Sequence, residues 1–292
     1  MDKPTIEHIV ITGGSTIILN AYGALRETHK NQVWQFDTIK SFHGTSAGSI
    51  LAFMLALNYP WETMDKYLIH RPWKKLMNFN ITNIYESFVG NGIFDGSFFQ
   101  ETYAPLLRGK DIDINITFHE FHKTHGKELY FYALNLTTFK TEELSHLTYP
   151  DMRIIDAVHA SSALPILFKP FKYGTTIFSD GGIFSNYPIK HCLAKGYDPS
   201  SILGVHIKTR PLTVSENMGI LDYIIYLINM ILVKLHDEYE PVPNDISLDM
   251  EYENYESRYM MLESPIDRSK EIDKGVKDAQ NWLNNHAVYK LL

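Results

Sequence analysis

The chain has 292 residues, 45% of them hydrophobic and 21% charged, which is typical of a globular protein with a large apolar core. Its net charge of −7 gives no indication of a nucleic-acid partner. The one cysteine, Cys192, excludes an internal disulfide framework and a cysteine-based zinc site, and favours a reducing, intracellular compartment. One large α/β domain is the expected organisation at this length.

The amino terminus and the longest apolar run bear on membrane insertion. Residues 1–5 carry no apolar signal core, so export through a signal peptide is not expected. The longest apolar run, residues 220–235, contains Asp222 and Asn229, and as a helix it would be about 24 Å long, short of the ~30 Å hydrocarbon core. We therefore expect a cytoplasmic protein without a transmembrane span, attached to membranes only peripherally.

A strand and a glycine turn open the chain. Residues 6–11 predict a strand, Thr12-Gly13-Gly14-Ser15 a tight turn, and the apolar positions from Ile17 a helix. This arrangement places backbone N–H groups at the carboxyl edge of a parallel sheet, where a phosphate or an oxyanion can bind. A dinucleotide site is disfavoured, because Ser15 and Ile18 occupy the places of the second and third glycines of its motif.

The pentapeptide Gly44-Thr45-Ser46-Ala47-Gly48 stands between a predicted strand, residues 38–42, and a predicted buried helix, residues 49–57. A serine between two glycines at a strand-to-helix junction is the pattern of a nucleophile elbow, since the turn imposes strained backbone angles and needs small neighbours. The start of the helix also directs N–H groups toward a developing oxyanion. Ser46 is the candidate nucleophile; the alternative is a glycine turn whose serine has no catalytic role.

The middle of the chain is predicted to contain an irregular stretch. Residues 71–96 are rich in asparagine and aromatic side chains and lack periodicity, which is typical of a lid, a binding loop or a plain surface loop. In the predicted helix 97–107, Phe98 and Phe99 are available to cover a pocket. The aromatic stretch from Phe79 to Phe99 and the helix from Ile220 are the candidates for docking on a lipid surface. The remaining predictions here are a strand or extended lead over 113–118, a central strand over 129–136 and a helix over 153–163.

A second motif follows a short predicted strand, residues 177–179. Asp180-Gly181-Gly182 places a carboxylate at a strand end, toward the same edge of the sheet as Ser46, although the same tripeptide is also a common structural turn. Residues 201–207 predict the last core strand. Beyond it we expect an apolar helix over 220–235, an acidic, solvated loop over 237–256, and a final amphipathic helix capped by Ser269.

Together these motifs resemble the patatin-like phospholipase family over roughly residues 6–210. The resembling blocks are the glycine turn, Gly23-Ala24-Leu25, the Ser46 pentapeptide, Phe118-His119-Glu120-Phe121, Ala160-Ser161-Ser162-Ala163-Leu164-Pro165 and Asp180-Gly181-Gly182-Ile183-Phe184-Ser185-Asn186-Tyr187-Pro188. The resemblance implies a three-layer α/β/α sandwich with a mainly parallel central sheet. It divides the chain into a catalytic domain, 1–210, and a helical extension, 211–292, packed on the same domain.

The resemblance also implies a chemistry. The family hydrolyses acyl esters of phospholipids and related lipids through an acyl-enzyme, here at a membrane or micelle surface, and no metal or organic cofactor is implied. By this resemblance Ser46 is the nucleophile, Asp180 is the base that activates it directly, and the amides of Gly13, Gly14 and Ser15 form the oxyanion hole. The accompanying motif glycines are Gly44, Gly48, Gly181 and Gly182.

The chain departs from the family pattern at one point, and two alternative functions stay open. The family turn usually reads Gly-Gly-Gly-x-Lys/Arg-Gly, whereas this chain has Ser15 and no basic residue, which would lower activity or alter the substrate if residue 15 needs a positive φ. An ordinary α/β-hydrolase would instead use a Ser-Asp-His triad with His191, His206 or His236. A non-catalytic lipid-binding or scaffold protein with a decayed site would also explain the altered turn.

Overall fold

The computed structural model describes residues 4–14, 17–77, 91–209, 241–250 and 261–286, together with positions 223, 226 and 227. Within these residues one eight-stranded sheet forms, with strands β1 His8–Ile11, β2 Ser41–Thr45, β3 Glu128–Asn135, β4 Lys140–Ser145, β5 Phe171–Tyr173, β6 Thr176–Asp180, β7 Ile202–Thr209 and β8 Asn244–Met250. The helices are α1 Ile17–Lys30, α2 Ala47–Ala56, α3 Trp61–His70, α4 Trp73–Leu76, α5 Gly96–Arg108, α6 Phe118–His125, α7 Ile154–Ser161, α8 Gly182–Ser185, α9 Ile189–Leu193 and α10 Pro265–Asn285.

The sheet is mixed and mainly parallel. Its strands lie in the order β5-β6-β3-β2-β1-β7-β8, and β4 pairs with β3. Strands β3, β2, β1, β7 and β8 run parallel to one another, whereas β4 and β6 are antiparallel to β3, and β5 is antiparallel to β6. Helices flank this sheet, so the predicted α/β fold class with a helical carboxyl-terminal segment is confirmed.

Both faces of the sheet are apolar and covered. In β1, Ile9 and Ile11 belong to the main core, while Val10 packs on the opposite face with Ile189 and Cys192 of α9. All three β1 side chains are fully buried. A strand buried on both faces has a continuous apolar sequence instead of an alternating one, and β1 follows this rule.

The carboxyl-terminal helix α10 lies directly on α1. A Cβ atom on Gly275 of α10 would collide with the carbonyl oxygen of Asn20, and a Cβ atom on Gly23 of α1 would collide with that of Ile272. Glycine on each helix therefore lets the two backbones approach more closely than side chains would permit. Gly23 belongs to one of the resembling sequence blocks, and its role is in this helix crossing.

Part of the predicted acidic loop is a strand. Strand β8 pairs in parallel with β7. The prediction that residues 201–207 form the last core strand is therefore wrong, because β8 follows β7 in the sheet. Ile246 and Leu248 are fully buried, whereas Ser247 and Asp249 are exposed, which is the period of two expected of a strand with one face on the core. Residues 237–240 and 251–256 of the acidic segment, and nearly all of the predicted helix 220–235, lie outside the described residues.

Several predicted boundaries also differ. Strand β2 begins at Ser41 and not at Thr38, because the Thr38 hydroxyl donates to the Gln35 carbonyl and holds this residue in the preceding turn. Residues 113–118 form no strand, since Thr117 caps helix α6. The last helix is capped by Ser264, five residues before the predicted cap Ser269. The Ser264 hydroxyl accepts the backbone N–H of Asp267 in the first turn. Strands β4 and β5 were not predicted.

Candidate active site

Strand β3 brings the two predicted catalytic residues together. Strand β2 pairs with the first part of β3, ending at Thr45 opposite Tyr132, and β6 pairs with its last part, ending at Asp180 opposite Ala133. Because β4 occupies the other edge of β3 along both parts, β2 and β6 share one edge and meet end to end. Ser46, which follows Thr45, therefore lies against Asp180 although the two are 134 positions apart in sequence.

Ser46 has the strained backbone of a nucleophile elbow. Its φ of 53° and ψ of −125° lie in a region that residues with a side chain seldom adopt. Its hydroxyl donates a hydrogen bond to Oδ2 of Asp180 at 2.7 Å. The flanking glycines leave no room for side chains, because a Cβ on Gly44 would lie 2.5 Å from backbone atoms of Gly48, and one on Gly48 would collide with the Ile11 carbonyl.

Asp180 is a buried carboxylate with both oxygens hydrogen-bonded. Oδ2 accepts the Ser46 hydroxyl and Oδ1 accepts the Gly182 N–H, each at 2.7 Å. Burial raises the pKa of Asp180 to about 6, and these two hydrogen bonds oppose part of that rise. A carboxylate with a pKa in this range is mostly ionised at pH 7, yet it is a stronger base than an exposed one. Gly181 has to be glycine, since a Cβ there would collide with the Tyr132 carbonyl.

Ser161 connects these elements, although no role was predicted for it from the sequence. Its hydroxyl accepts the Ser46 N–H at 3.0 Å and donates to the Tyr132 carbonyl at 2.7 Å. Its own carbonyl accepts the Gly181 N–H at 3.1 Å. One residue thus fixes the backbone of the elbow, the middle of β3 and the turn after Asp180. The available sequence signal was its place in the block 160–165.

The glycine turn after β1 is held by Asn186, a second residue without a predicted role. The Gly13 N–H donates to the Asn186 carbonyl at 2.8 Å, and the Asn186 side chain donates to the Gly13 carbonyl and to the Thr12 hydroxyl at 3.2 Å each. Gly14 has a φ of 136°, and its N–H has no hydrogen-bond partner among the described residues. Ser15 lies outside those residues. The Gly13 amide is thus engaged, while that of Gly14 is open, and the oxyanion role of the turn stays a prediction.

Histidines do not reach this pair in the described part of the chain. None is hydrogen-bonded to the Ser46 hydroxyl or to the Asp180 carboxylate. Of the three triad candidates, His206 binds Asp245 through Nδ1 at 2.9 Å, and His191 stacks on Tyr132 with ring centroids 4.6 Å apart. His236 lies outside the described residues.

A serine hydroxyl bonded to a buried carboxylate, in a strained turn at a strand end of a mainly parallel sheet, is an arrangement typical of hydrolases. The chain belongs to the patatin-like phospholipase family, whose sequence profile matches residues 9–193.

Two viral proteins are similar to this chain in sequence. A probable lipid hydrolase of Invertebrate iridescent virus 6 is 31% identical over 184 residues, which are 62% of this chain and 61% of that protein. An uncharacterized protein of Acanthamoeba polyphaga mimivirus is 28% identical over 189 residues, 65% of this chain and 62% of that protein. The chain thus spans about three fifths of the length of these relatives.

One solved structure shares the fold. VipD from Legionella pneumophila matches with a TM-score of 0.58 at 16% sequence identity, over 97% of this chain and 67% of that one. Within the described ranges, no helix combines the length and the apolar character needed to cross a bilayer.

Proposed function

We propose that the protein is a lipid acyl hydrolase that cleaves acyl esters of phospholipids or related lipids, with Ser46 as nucleophile and Asp180 as its base. The observation that carries this proposal is the 2.7 Å hydrogen bond from the Ser46 hydroxyl to a buried carboxylate whose pKa is about 6. Family membership and the relative named a probable lipid hydrolase support the substrate class.

The reaction follows from this pair in two halves. Ser46 Oγ attacks the acyl carbonyl while its proton passes to Asp180 Oδ2, and the Gly14 N–H donates to the oxygen that becomes negative. When the tetrahedral intermediate collapses, Asp180 gives the proton to the oxygen of the leaving alcohol. A water then loses a proton to Asp180 and attacks the acyl-Ser46 ester, which releases the fatty acid and returns the proton to Ser46.

Burial explains how a carboxylate can serve without a histidine. Ionised Asp180 sits where water cannot solvate it, so accepting a proton relieves part of the cost of its charge. The hydrogen bond to Gly182 keeps the carboxylate oriented while Oδ2 exchanges the proton with Ser46.

The test combines a covalent probe with defined lipids. A fluorophosphonate should label wild type, should not label Ser46→Ala, and should label Asp180→Asn at least 100-fold more slowly, since asparagine cannot accept the proton. His191→Ala and His206→Ala serve as controls and should keep both labelling and release of fatty acid from a phospholipid panel. Loss of turnover in either histidine variant, with the fold intact, would favour the triad; absence of labelling and of fatty acid release in wild type would favour a binding protein.

The lipid surface is proposed to contact an exposed apolar patch beside the site. This edge patch consists of Leu136, Phe139, Ile177 and Phe184, of which Phe139 is 61% exposed. The rings of Phe139 and Phe184 lie 5.0 Å apart, and the Leu136 N–H donates to the Ile177 carbonyl. Phe184 follows Asp180 by four residues, and we infer from this proximity that the patch lies beside the site.

Two of the earlier docking residues, Phe98 and Phe99, fit less well, while residues 79–90 and nearly all of the helix from Ile220 lie outside the described residues. Phe99 is 1% exposed and Phe98 is half-buried, and both pack against Phe168 with ring centroids 5.1 and 5.3 Å away. Phe99 is therefore part of the core and not free to bind a bilayer.

The edge patch can be tested separately from the chemistry. Phe139→Ser combined with Phe184→Ser should weaken flotation with phospholipid vesicles while hydrolysis of a soluble p-nitrophenyl ester is kept. Leu147→Ser is the matched control, because Leu147 is 65% exposed but follows β4 at the opposite end of the sheet. Equal flotation of the two proteins would show that the edge patch is not the docking surface.

A further inference from the structure

Three side chains that bind metal ions meet away from the proposed active site. His122 lies in α6, Glu128 begins β3 and His146 follows the last residue of β4. One ligand atom from each of the three lies within 4.8 Å of the other two. This cluster connects the end of a surface helix to the β3–β4 pair, and the proposed hydrolysis makes no use of it.

Two ring nitrogens in the cluster have no partner. The imidazoles of His122 and His146 stack with their centroids 4.1 Å apart. The Nδ1 atom of each ring is buried and has no hydrogen bond among the residues that the structure describes. A buried polar atom that gives up water without a replacement costs free energy, so two such atoms side by side call for an explanation. A shared cation would give both a partner.

The surroundings of the cluster suit a cation. The Tyr130 hydroxyl donates to Glu128 Oε2 at 2.9 Å, the kind of outer hydrogen bond that orients a metal-binding carboxylate. The nearby Lys195 ammonium is paired with Glu143 at 2.9 Å, which balances its positive charge.

We propose that His122, Glu128 and His146 bind one Zn²⁺ ion, with the fourth position left to water. Two imidazoles and one carboxylate are an established zinc donor set. With bonds of about 2.0–2.1 Å, the ligand atoms of a tetrahedral site are about 3.3 Å apart, so atoms now within 4.8 Å must close by at most about 1.5 Å. Rotation about the side-chain bonds supplies this movement, and it replaces the stacking of the two rings by coordination.

The place of the cluster in the fold defines the role of the ion. Glu128 is the first residue of β3, four positions before Tyr132, which is about 13 Å along a strand. The ion therefore lies too far from Ser46 to touch the reacting atoms. It would fasten helix α6 to the sheet, and its effect should be on stability.

The test measures zinc binding by untagged protein after removal of metals with a chelator. Calorimetric titration with ZnCl₂ should show one site per chain, and Co²⁺ should give the visible absorption of a tetrahedral complex. His122→Gln and His146→Gln should each weaken binding by roughly 100-fold or more, and Tyr130→Phe by about tenfold, because it removes an outer hydrogen bond. His119→Gln is the control, since this histidine is exposed on the same helix.

Two readouts keep the result clear. Circular dichroism verifies that each variant is folded, and fluorophosphonate labelling of Ser46 should not change with zinc; Glu128→Gln replaces any variant that does not fold. Zinc should raise the melting temperature of wild type and of His119→Gln but not of His146→Gln. The proposal is wrong if wild type binds no zinc, or if the double variant of His122 and His146 binds it with the affinity and stoichiometry of wild type.

Discussion

Replacing Asp180 by asparagine should make the protein more stable while it removes activity. The site raises the pKa of this carboxyl from 3.8 to about 6, so at pH 7 the buried charge costs the fold about 3 kcal/mol relative to the unfolded chain. Asparagine has the same shape without the charge. Its Oδ1 can accept the Gly182 N–H and its amide can donate to Ser46, so both hydrogen bonds of the site are kept.

The gain has a definite dependence on pH. Because the pKa of Asp180 is raised in the folded state, the folded protein binds more protons than the unfolded chain between pH 3.8 and about 6, and wild type loses stability as pH rises through this window. The asparagine variant should therefore exceed wild type by about 1.5 kcal/mol at pH 5 and about 3 kcal/mol at pH 7. Burial also lowers the pKa of His8, to about 4, and that of His43, which destabilises both proteins in acid and cancels in the difference.

Urea unfolding of both proteins from pH 5 to pH 8, followed by circular dichroism, measures this difference. Asp198→Asn is a suitable control, because Asp198 is exposed and its pKa is lowered by hydrogen bonds from Ser200, so asparagine there should bring no gain at pH 7. A difference between Asp180→Asn and wild type that does not change with pH would refute the reasoning. So would a variant that is less stable than wild type at pH 7.

The pH profile of hydrolysis should reflect the ionisation of Asp180. The value of kcat/KM for a soluble ester should fall about tenfold from pH 7 to pH 5, because the ionised fraction of Asp180 falls from about 0.9 to about 0.1. A flat profile would contradict a pKa of about 6 for this carboxyl. Ser161→Ala should slow fluorophosphonate labelling by about tenfold or more, because it removes the acceptor for the Ser46 N–H, whereas Ser162→Ala, whose hydroxyl lies 3.5 Å from that of Ser49, should not. Gly275→Ala should lower the free energy of unfolding by about 1–3 kcal/mol in a denaturant titration, because its Cβ meets the backbone of α1; an unchanged value would mean that the two helices can separate freely.

The sequence was most informative where function depends on neighbouring residues. Ser46 and Asp180 stand in short motifs whose glycines are explained by the contacts of Gly44, Gly48 and Gly181 with backbone atoms. These motifs located the two side chains that the structure joins by a hydrogen bond. Their catalytic roles remain proposals for the experiments above.

The sequence was least informative where a role depends on distant partners. Ser161 and Asn186 act through hydrogen bonds to residues 115 and about 170 positions away, and no local pattern marks such bonds. Strand β8 was missed for another reason, since its acidic residues suggested a solvated loop while Ile246 and Leu248 alternated beneath them. The hydrogen bond from the Gly13 N–H to the Asn186 carbonyl could not be predicted either, because it forms only when the fold brings these two distant segments together.

The meeting of β2 and β6 on one edge of β3 has a consequence for redesign. The gap between nucleophile and base is set by two adjacent positions of one strand, Tyr132 and Ala133, and not by the 134 positions of chain that run from Ser46 to Asp180. Within that interval, α2 starts at the elbow and α7 ends in Ser161, so both have to stay in place. The other loops and helices can be lengthened, shortened or exchanged to suit another acyl chain without moving the reacting pair. A single residue inserted between Tyr132 and Ala133 would instead shift Asp180 by about 3.3 Å and turn every later β3 side chain to the other face, which would separate the pair completely.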